Sequence, residues 1–531
     1  MSVEQGLRRI PDQNIGQSLE QQIALRKQKL LWLESNGIDS FPAEPPLRTG
    51  TNAFIRQHAE EFIQNGDPVH ILGRITAIRI HGSTIFADVD DGSEKPTKKT
   101  VAKTKGVATQ KVIKGMQMMI GKQTDPNLID LFINGIDPGD IIRVSGPLIK
   151  TKTGEITVVV SDFGMLAKAL RPPPPATIDG ELVDPDHDIR RRDRHLELMS
   201  SPEARERFRI RSQIVEIMRR KFIELGNLEV ETPILDTTYG GANAKPFITH
   251  QRALDQDMFL RISNELYLKR LIVGMLGAGA GGVFEFSRDF RNEGMDRSHH
   301  PEFTQVELYM PYKDYNFMMS LTEELYREIA LTTVGNLVVP FGDLTINFDN
   351  WRKVRVYDGL RQAFNIDPRT ISDNDLRNLA SNYNINPQQS RGFLLLELFE
   401  NVVIPNLGPD PIIAYDYPKE TSPLTKTHRQ EKDLVERFEL HIAGIECANC
   451  YSELNDPRDQ RARFEEEIKR KATGDEETQP DDENFIVAME YGLPPMGGIG
   501  FSIDRPTMFF TNTADIRDVI LYPHVPPRNM H

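Results

Sequence analysis

The chain has 531 residues, a length that calls for two or more cores, and its 39% hydrophobic and 27% charged content is that of an ordinary globular protein. A formal net charge of −14 speaks against wholesale coating of nucleic acid but leaves room for a local basic groove, because screening confines surface fields to about 8–10 Å. No apolar run approaches the roughly 18 residues of a membrane span, the N-terminus MSVEQGLRRIPDQN lacks the apolar stretch of a secretory signal, and the 2 cysteines argue against a disulfide scaffold and fit a reducing, cytoplasmic compartment.

Residues 1–15 are polar and unpatterned. Ser18–Ser35 carries apolar residues at helical spacing and stops at Asn36-Gly37, and Ala53–Asn65 predicts a second short helix. From Val69, VHILGRITAIRIHGSTIFADVDDGSEK alternates in short β segments, and IIRVSGPLIKTKTGEITVVVSDFGMLAKAL does so again. Short strands with glycine-containing turns predict a small barrel of the OB type over 66–170, preceded by a helical extension over 1–65. Between Glu94 and Asp125 there is no acidic residue, while lysines accumulate from Lys95 to Lys122. This insertion, about 95–124, reads either as an arm that contacts phosphates or as a solvated, mobile loop with no recognisable strand. Arg171 and the four prolines after it open a stiff linker over 171–180, which sets the boundary of a second domain at 181–531. There Pro202–Glu224 is an amphipathic helix leading through Gly226 into LEVETPIL, a strand interrupted by Pro233. Gly277, Gly279 and Gly282 formally satisfy G-x-G-x-x-G, but a β-like segment follows where the motif needs a helix, so the stretch reads as a flexible connector.

The chemistry concentrates in FEFSRDFRNEGMDRSHHPEFTQVELY, Phe284 to Tyr309. Two β-leaning segments, Val283–Phe290 and Pro301–Met310, flank a charged turn with Gly294 and predict a long hairpin. Positions 303, 305, 307 and 309 share one face, which aligns Phe303, Glu307 and Tyr309. The arginine at 291 offers rigid paired donors suited to phosphate or carboxylate. Further on, ERFELHIAGIECANCYSELNDP predicts two strands reversing near Ala443-Gly444, which brings Glu439 toward Glu446. Two carboxylates at a triphosphate site are a common way to hold Mg²⁺; a structural ion pair is the plainer alternative. Cys447 and Cys450 spell C-x-x-C with no second pair to complete a zinc site, so they read as reduced, partly buried thiols.

FRNEG, HHPEFTQVELYM, GGANAKPF, NCYSELNDP and GLPPMGGIGFSIDR together resemble the class II (subclass IIb) lysyl-tRNA synthetases, from about Ser18 to the end. The helix and strand before Pro233 are similar to motif 1, the hairpin to motif 2 and the last segment to motif 3. The resemblance implies an α+β, multidomain chain: an N-terminal OB-fold barrel that binds an anticodon, and a catalytic domain built on an antiparallel sheet flanked by helices. It implies a C2 homodimer, with ATP, L-lysine and tRNA(Lys) as substrates and Mg²⁺ as cofactor. By carry-over, Arg291 bridges the lysine carboxylate and the α-phosphate, Glu293 and His299 guide the nucleotide, Phe303 stacks on adenine, and Arg505 holds the γ-phosphate. Gly498 and Gly500 let the nucleotide lie against backbone. Gly241 and Glu265 take the α-ammonium; Glu307, Tyr309, Asn449 and Glu453 surround the ε-ammonium; Glu439 and Glu446 hold the metal. Arg79, Phe86 and Asp90 fall at the anticodon positions.

The sequence departs from the family at Asp90, where Gln is usual, at Asn264, where Pro is common, and at Ser502, where Gly normally stands beside adenine. Pro506 replaces an apolar residue but suits the first turn of a helix. Ser502, Asp90 and the remodelled barrel keep one alternative in view, a catalytically impaired paralogue that binds tRNA or adenylate, and shared architecture keeps a second, a sister enzyme for aspartate or asparagine. The second is disfavoured by Glu265, Glu307 and Glu453, since an acidic substrate needs a cationic pocket.

Overall fold

The computed structural model describes residues 18–94, 97–103, 106–112, 115–173, 187–242, 244–275, 281–472 and 482–526. Residues 1–15, most of the proline linker, and Gly277 and Gly279 lie outside them. The chain divides into two compact units between Arg205 and Glu206, inside the Pro202–Glu224 helix and downstream of the linker that suggested the boundary.

The first unit opens with the helix Leu19–Ser35. The Ser18 hydroxyl accepts from Gln21 N at 3.3 Å and the Gln21 side chain accepts from Ser18 N at 2.9 Å, a reciprocal cap that satisfies two orphan donors. The second predicted helix is two, Asn52–Gln57 and Ala59–Asn65. The strands follow as β1 (Pro68–His81), β2 (Thr84–Asp90), β3 (Thr97–Lys103), β4 (Gly106–Val112), β5 (Met116–Ile120), β6 (Ile141–Lys150), β7 (Ile156–Val159) and β8 (Asp162–Ala167). β1, β2, β5, β7 and β6 pair in that order and β6 returns to β1, closing a ring; β5 and β7 are parallel, and β8 adds outside on β6. A closed five-stranded ring with a helix (Pro126–Gly135) between its third and fourth strands is the OB topology.

The lysine-rich stretch departs from the sequence reading. β3 and β4 form an antiparallel ribbon of their own, and β5, counted within the insertion, is the third strand of the barrel. Met116, Met118 and Ile120 alternate into the core. Methionine is a weak strand signal, so MQMMI hid a period of two that the packing makes plain.

The second unit is organised on an eight-stranded sheet. Its strands are β9 (Asn227–Glu229), β13 (Gly282–Phe290), β14 (Glu302–Pro311), β17 (Arg352–Arg355), β18 (Ile412–Pro418), β19 (Leu434–Ile442), β20 (Ile445–Ser452) and β21 (Met496–Ser502), in the order β17-β18-β19-β20-β21-β14-β13-β9. The remaining strands, β10 (Leu235–Asp236), β11 (Ile248–Gln251) and β12 (Gln256–Leu260), and the hairpin of β15 (Val338–Phe341) and β16 (Leu344–Asn347), form small separate sheets. The six central strands are antiparallel; β17 and β9 join the two edges in parallel. β18 has no alternating signature in the sequence, because IIAYDYP is buried on both faces. On β14 the even residues Val306, Leu308 and Met310 enter the main core beneath the Pro202–Glu224 and Tyr315–Thr333 helices. The odd residues are thereby turned to the opposite face, and that face carries the site.

Candidate active site

The sheet face holds a cleft of about 390 Å³. Into it open Phe303, Gln305, Glu307 and Tyr309 from β14, Glu446 and Asn449 from β20, and Gly498, Gly500 and Ser502 from β21. Arg291, Glu293 and His299 from the hairpin turn, Gly241, Glu265 from the start of the Glu265–Met275 helix, Glu439 from β19, Glu453, and Arg505 from the Asp504–Phe510 helix complete it. Every residue expected at the amino-acid, nucleotide and metal positions therefore borders one cavity.

The two ends of the cleft differ in charge. At one end, Phe303 lies 5.1 Å from the guanidinium of Arg291, and Arg505 donates to the backbone carbonyl of Glu446. The motif-2 turn is fixed from outside: Asn292 N donates to Lys245 O at 2.8 Å, and Lys245 N to Glu293 Oε1 at 3.3 Å. His299 is exposed and paired with Asp296 at 2.8 Å. The hydroxyl of Ser502 accepts from Arg505 N at 3.1 Å, so it is turned toward the helix that carries the arginine.

Glu439 and Glu446 come from the paired strands β19 and β20, and Glu446 lies 3.5 Å from Arg505. Burial alone would raise Glu439, but Arg437 and then His441 bring it down to about 2. Arg437 was not singled out by sequence, yet it bonds Glu439, Ser422 at 2.9 Å and Asn449 at 3.2 Å, and stacks 4.5 Å over Tyr417. Asn449, expected to face the ε-ammonium, is thus engaged by Arg437 and by Glu439 at 3.4 Å. Among the described residues no group of three metal-ligating side chains exists, so there is no all-protein cage. Two ionisable carboxylates open to a cleft suit Mg²⁺, which keeps waters and shares substrate phosphates. Cys447 and Cys450 are free and wholly buried, which pushes both thiols up and leaves them inert.

At the other end three carboxylates converge. Glu307 accepts from Ser263 at 2.9 Å, Gln305 at 2.7 Å and Tyr309 at 2.9 Å. Burial, with Asp289 and Glu265 adding to it, pushes Glu307 up to about 8. Burial likewise pushes Glu453 up to about 8, although Lys269 opposes it. Gly498 is required by this crowding: a Cβ there meets Glu453 Oε1 at 2.1 Å and the Tyr309 ring at 2.4 Å. Gly241 holds φ +83 against Ser263 and Glu265. Asn264, in place of the family's proline, loosens nothing: it is buried and donates to Glu285 at 2.9 Å, which anchors the start of the helix bearing Glu265.

In the first unit, Arg79 makes a two-point ion pair with Asp88, both contacts at 2.6 Å, and lies across from Phe86 on the neighbouring strand. Asp90 does not stand free for RNA. Its carboxylate, 8% exposed, meets Arg205 at 2.9 Å and accepts from Gly92 N at 2.9 Å.

Residues 186–526 match the family model of tRNA synthetases class II (D, K and N). Over nearly the full length, the chain is 40% identical to the lysine–tRNA ligase of Christiangramia forsetii, covering 97% of this chain and 88% of that protein. It is 39% identical to the lysine–tRNA ligase of Clostridium botulinum, covering 97% and 99%, and 42% identical to lysine–tRNA ligase 2 of Methanosarcina mazei, covering 89% and 88%. The chain belongs to the lysine–tRNA ligase family of the class II tRNA synthetases.

Proposed function

We propose that the protein activates L-lysine with ATP and passes the lysyl group to the 3′ end of tRNA(Lys). The observation that carries this reading is that one cleft gathers three buried carboxylates, Glu265, Glu307 and Glu453, together with Arg291 and Arg505. A lysine laid between them places its ammonium groups on Glu265 and on Glu453, Glu307 and Tyr309. Its carboxylate then points toward Arg291. The carboxylate oxygen attacks the α-phosphorus and pyrophosphate leaves, so the protein's contribution is positioning and charge stabilisation. Phe303 stacks on the adenine, Glu293 and His299 flank the nucleotide, Gly500 keeps the backbone open beside it, and Arg505 holds the terminal phosphate, while Gly498, expected at the nucleotide, makes room instead for Glu453 and Tyr309. Glu439 and Glu446 would hold Mg²⁺, whose charge offsets that of the triphosphate. Asn449 acts through Arg437 and Glu439, at the border of the two ends.

Arg79 and Phe86 are assigned to the anticodon, with Asp90 set aside because its charge is spent on Arg205. A homodimer through the motif-1 segment is supported by the exposed apolar side chains of Ile223, Leu228, Ile234 and Leu235. No helix among the described residues is long and apolar enough to cross a membrane, and we place the protein in the cytoplasm. Deletion of the β3–β4 ribbon alone, sparing β5, tests whether its lysines contribute to tRNA binding.

ATP–pyrophosphate exchange across lysine, arginine, aspartate and asparagine tests the reading. Exchange that depends on lysine and is weak with the other three supports it. Exchange driven by aspartate or asparagine, or by none, overturns it.

A further inference from the structure

Behind the ammonium end of the cleft stands a charged side chain that the reaction above does not use. Lys269 lies one turn after Glu265 on the Glu265–Met275 helix and is fully buried. Its Nζ donates to Glu265 Oε1 and also closes on Glu453 Oε2. The rings of Tyr309 and Phe485 each stand 5.9 Å from the ammonium. Lys269 does not border the cleft, whereas Glu265 and Glu453 both do, so its charge reaches them from the protein side.

The two contacts are different in kind. The one with Glu265 is a hydrogen bond. The one with Glu453 is a close ion-pair contact to Oε2, and no other group donates to either Glu453 oxygen although both are buried. Glu453 is therefore compensated in charge yet still has open acceptors. The third acid, Glu307, needs no such help, since Ser263, Gln305 and Tyr309 already donate to it.

We propose that Lys269 is a positioning residue for amino-acid specificity: a resident ammonium that bridges Glu265 and Glu453, keeping both carboxylates turned to the cleft while leaving the oxygens of Glu453 for the side-chain ammonium of the substrate. The proposal rests on the lysine-activating reading above. Its physics is that of buried ion pairs. A carboxylate stripped of its cation in a closed pocket escapes by taking a proton, and as a neutral acid it exerts little pull on an ammonium. Burial works against the charged form of Lys269, but Glu265 and Glu453 outweigh it and hold the amine above its ordinary value. A lysine suits this place because one compact ammonium touches both carboxylates, and an arginine keeps the charge but not that compact geometry.

The test is pyrophosphate exchange by the full-length protein and its Lys269→Met and Lys269→Gln variants, with L-lysine and with norleucine, which is lysine without the ε-amine. We expect the KM for lysine to rise by about 30-fold or more, the KM for ATP to stay within about threefold, and the preference for lysine over norleucine to fall by at least about tenfold. Lys269→Arg recovers part of that preference. An unchanged lysine KM in a folded variant, an equal rise in the KM for ATP, or loss of the circular dichroism of both variants overturns the proposal, the last by making Lys269 purely structural. A wild-type protein without lysine-dependent exchange overturns the functional reading and this inference with it. An active wild type with unaffected variants removes the inference alone.

Discussion

The two carboxylate groups of the cleft use the same side chain to opposite ends. Glu439 lies beside Arg437 and His441 and is held down to about 2, so it is ionised at any working pH. Glu307 and Glu453 lie among other acids behind Tyr309 and are pushed up to about 8. Residue type thus fixes neither charge nor role; the neighbours do. A glutamate amid guanidinium and imidazole is a standing anion suited to a metal–phosphate centre. A glutamate amid glutamates calls for positive charge, which Lys269 supplies from the protein side and which, in the proposed reading, the ammonium groups of lysine supply from the cleft.

That contrast is open to direct attack. The largest effect belongs to the phosphate end, where Arg291→Ala removes the group assigned to both reacting anions. Lysine-dependent exchange should fall by about 10²–10³-fold in kcat, and a loss under about threefold would remove Arg291 from the reacting centre. Gly498→Ala comes next, because its methyl group meets Glu453 and Tyr309. Titration of exchange velocity should show the lysine KM raised by about tenfold or more; a change confined to the ATP KM would place Gly498 at the nucleotide alone.

The pH dependence separates the ends further. In the empty site burial and the neighbouring acids raise Glu307 to about 8, and it must ionise to take an ammonium, so kcat/KM for lysine should climb from pH 6 and level off near 8. The KM for ATP should not follow, since Glu439 titrates only near 2. Stability runs the other way. Carboxyls raised from 4.5 to about 8 contribute stability that is complete below 4.5 and lost as pH rises through 8, so the melting temperature of the free protein should decline between pH 6 and 9 and be partly restored by lysine. The smallest effect is expected of Ser502→Gly: only the hydrogen bond from Arg505 N is lost, and exchange should stay within about threefold of wild type.

Much of this was legible in the sequence because strand alternation is a local signal. Alternation alone puts the odd residues of β14 on one face, and the whole set lines the cleft. The reversal at Ala443-Gly444 was equally plain, with Ala443 at φ 51 and Gly444 at φ 75. What escaped was what depends on distant partners. Arg437 lies two residues before Glu439, within sight, but only the fold brings Ser422 and Asn449 to it. Lys269 carried a readable sign, a lysine four residues after Glu265 on a helix face with Leu268 and Ile272, yet the approach of Glu453 comes from 184 positions away. Asp90 was assigned by alignment of pattern, and an ion pair with Arg205, remote in sequence, occupies its charge. The barrel strand Met116–Ile120 was masked by methionines.

In this reading Glu453 serves the amino acid and Glu439 the metal and nucleotide, and the paired KM values of Glu453→Gln and Glu439→Gln separate the two roles. The account predicts a crossed result: the first raises the KM for lysine by about 30-fold or more and leaves that for ATP nearly unchanged, while the second raises the KM for ATP and the Mg²⁺ requirement and spares lysine. Parallel changes in both constants in both variants would contradict it.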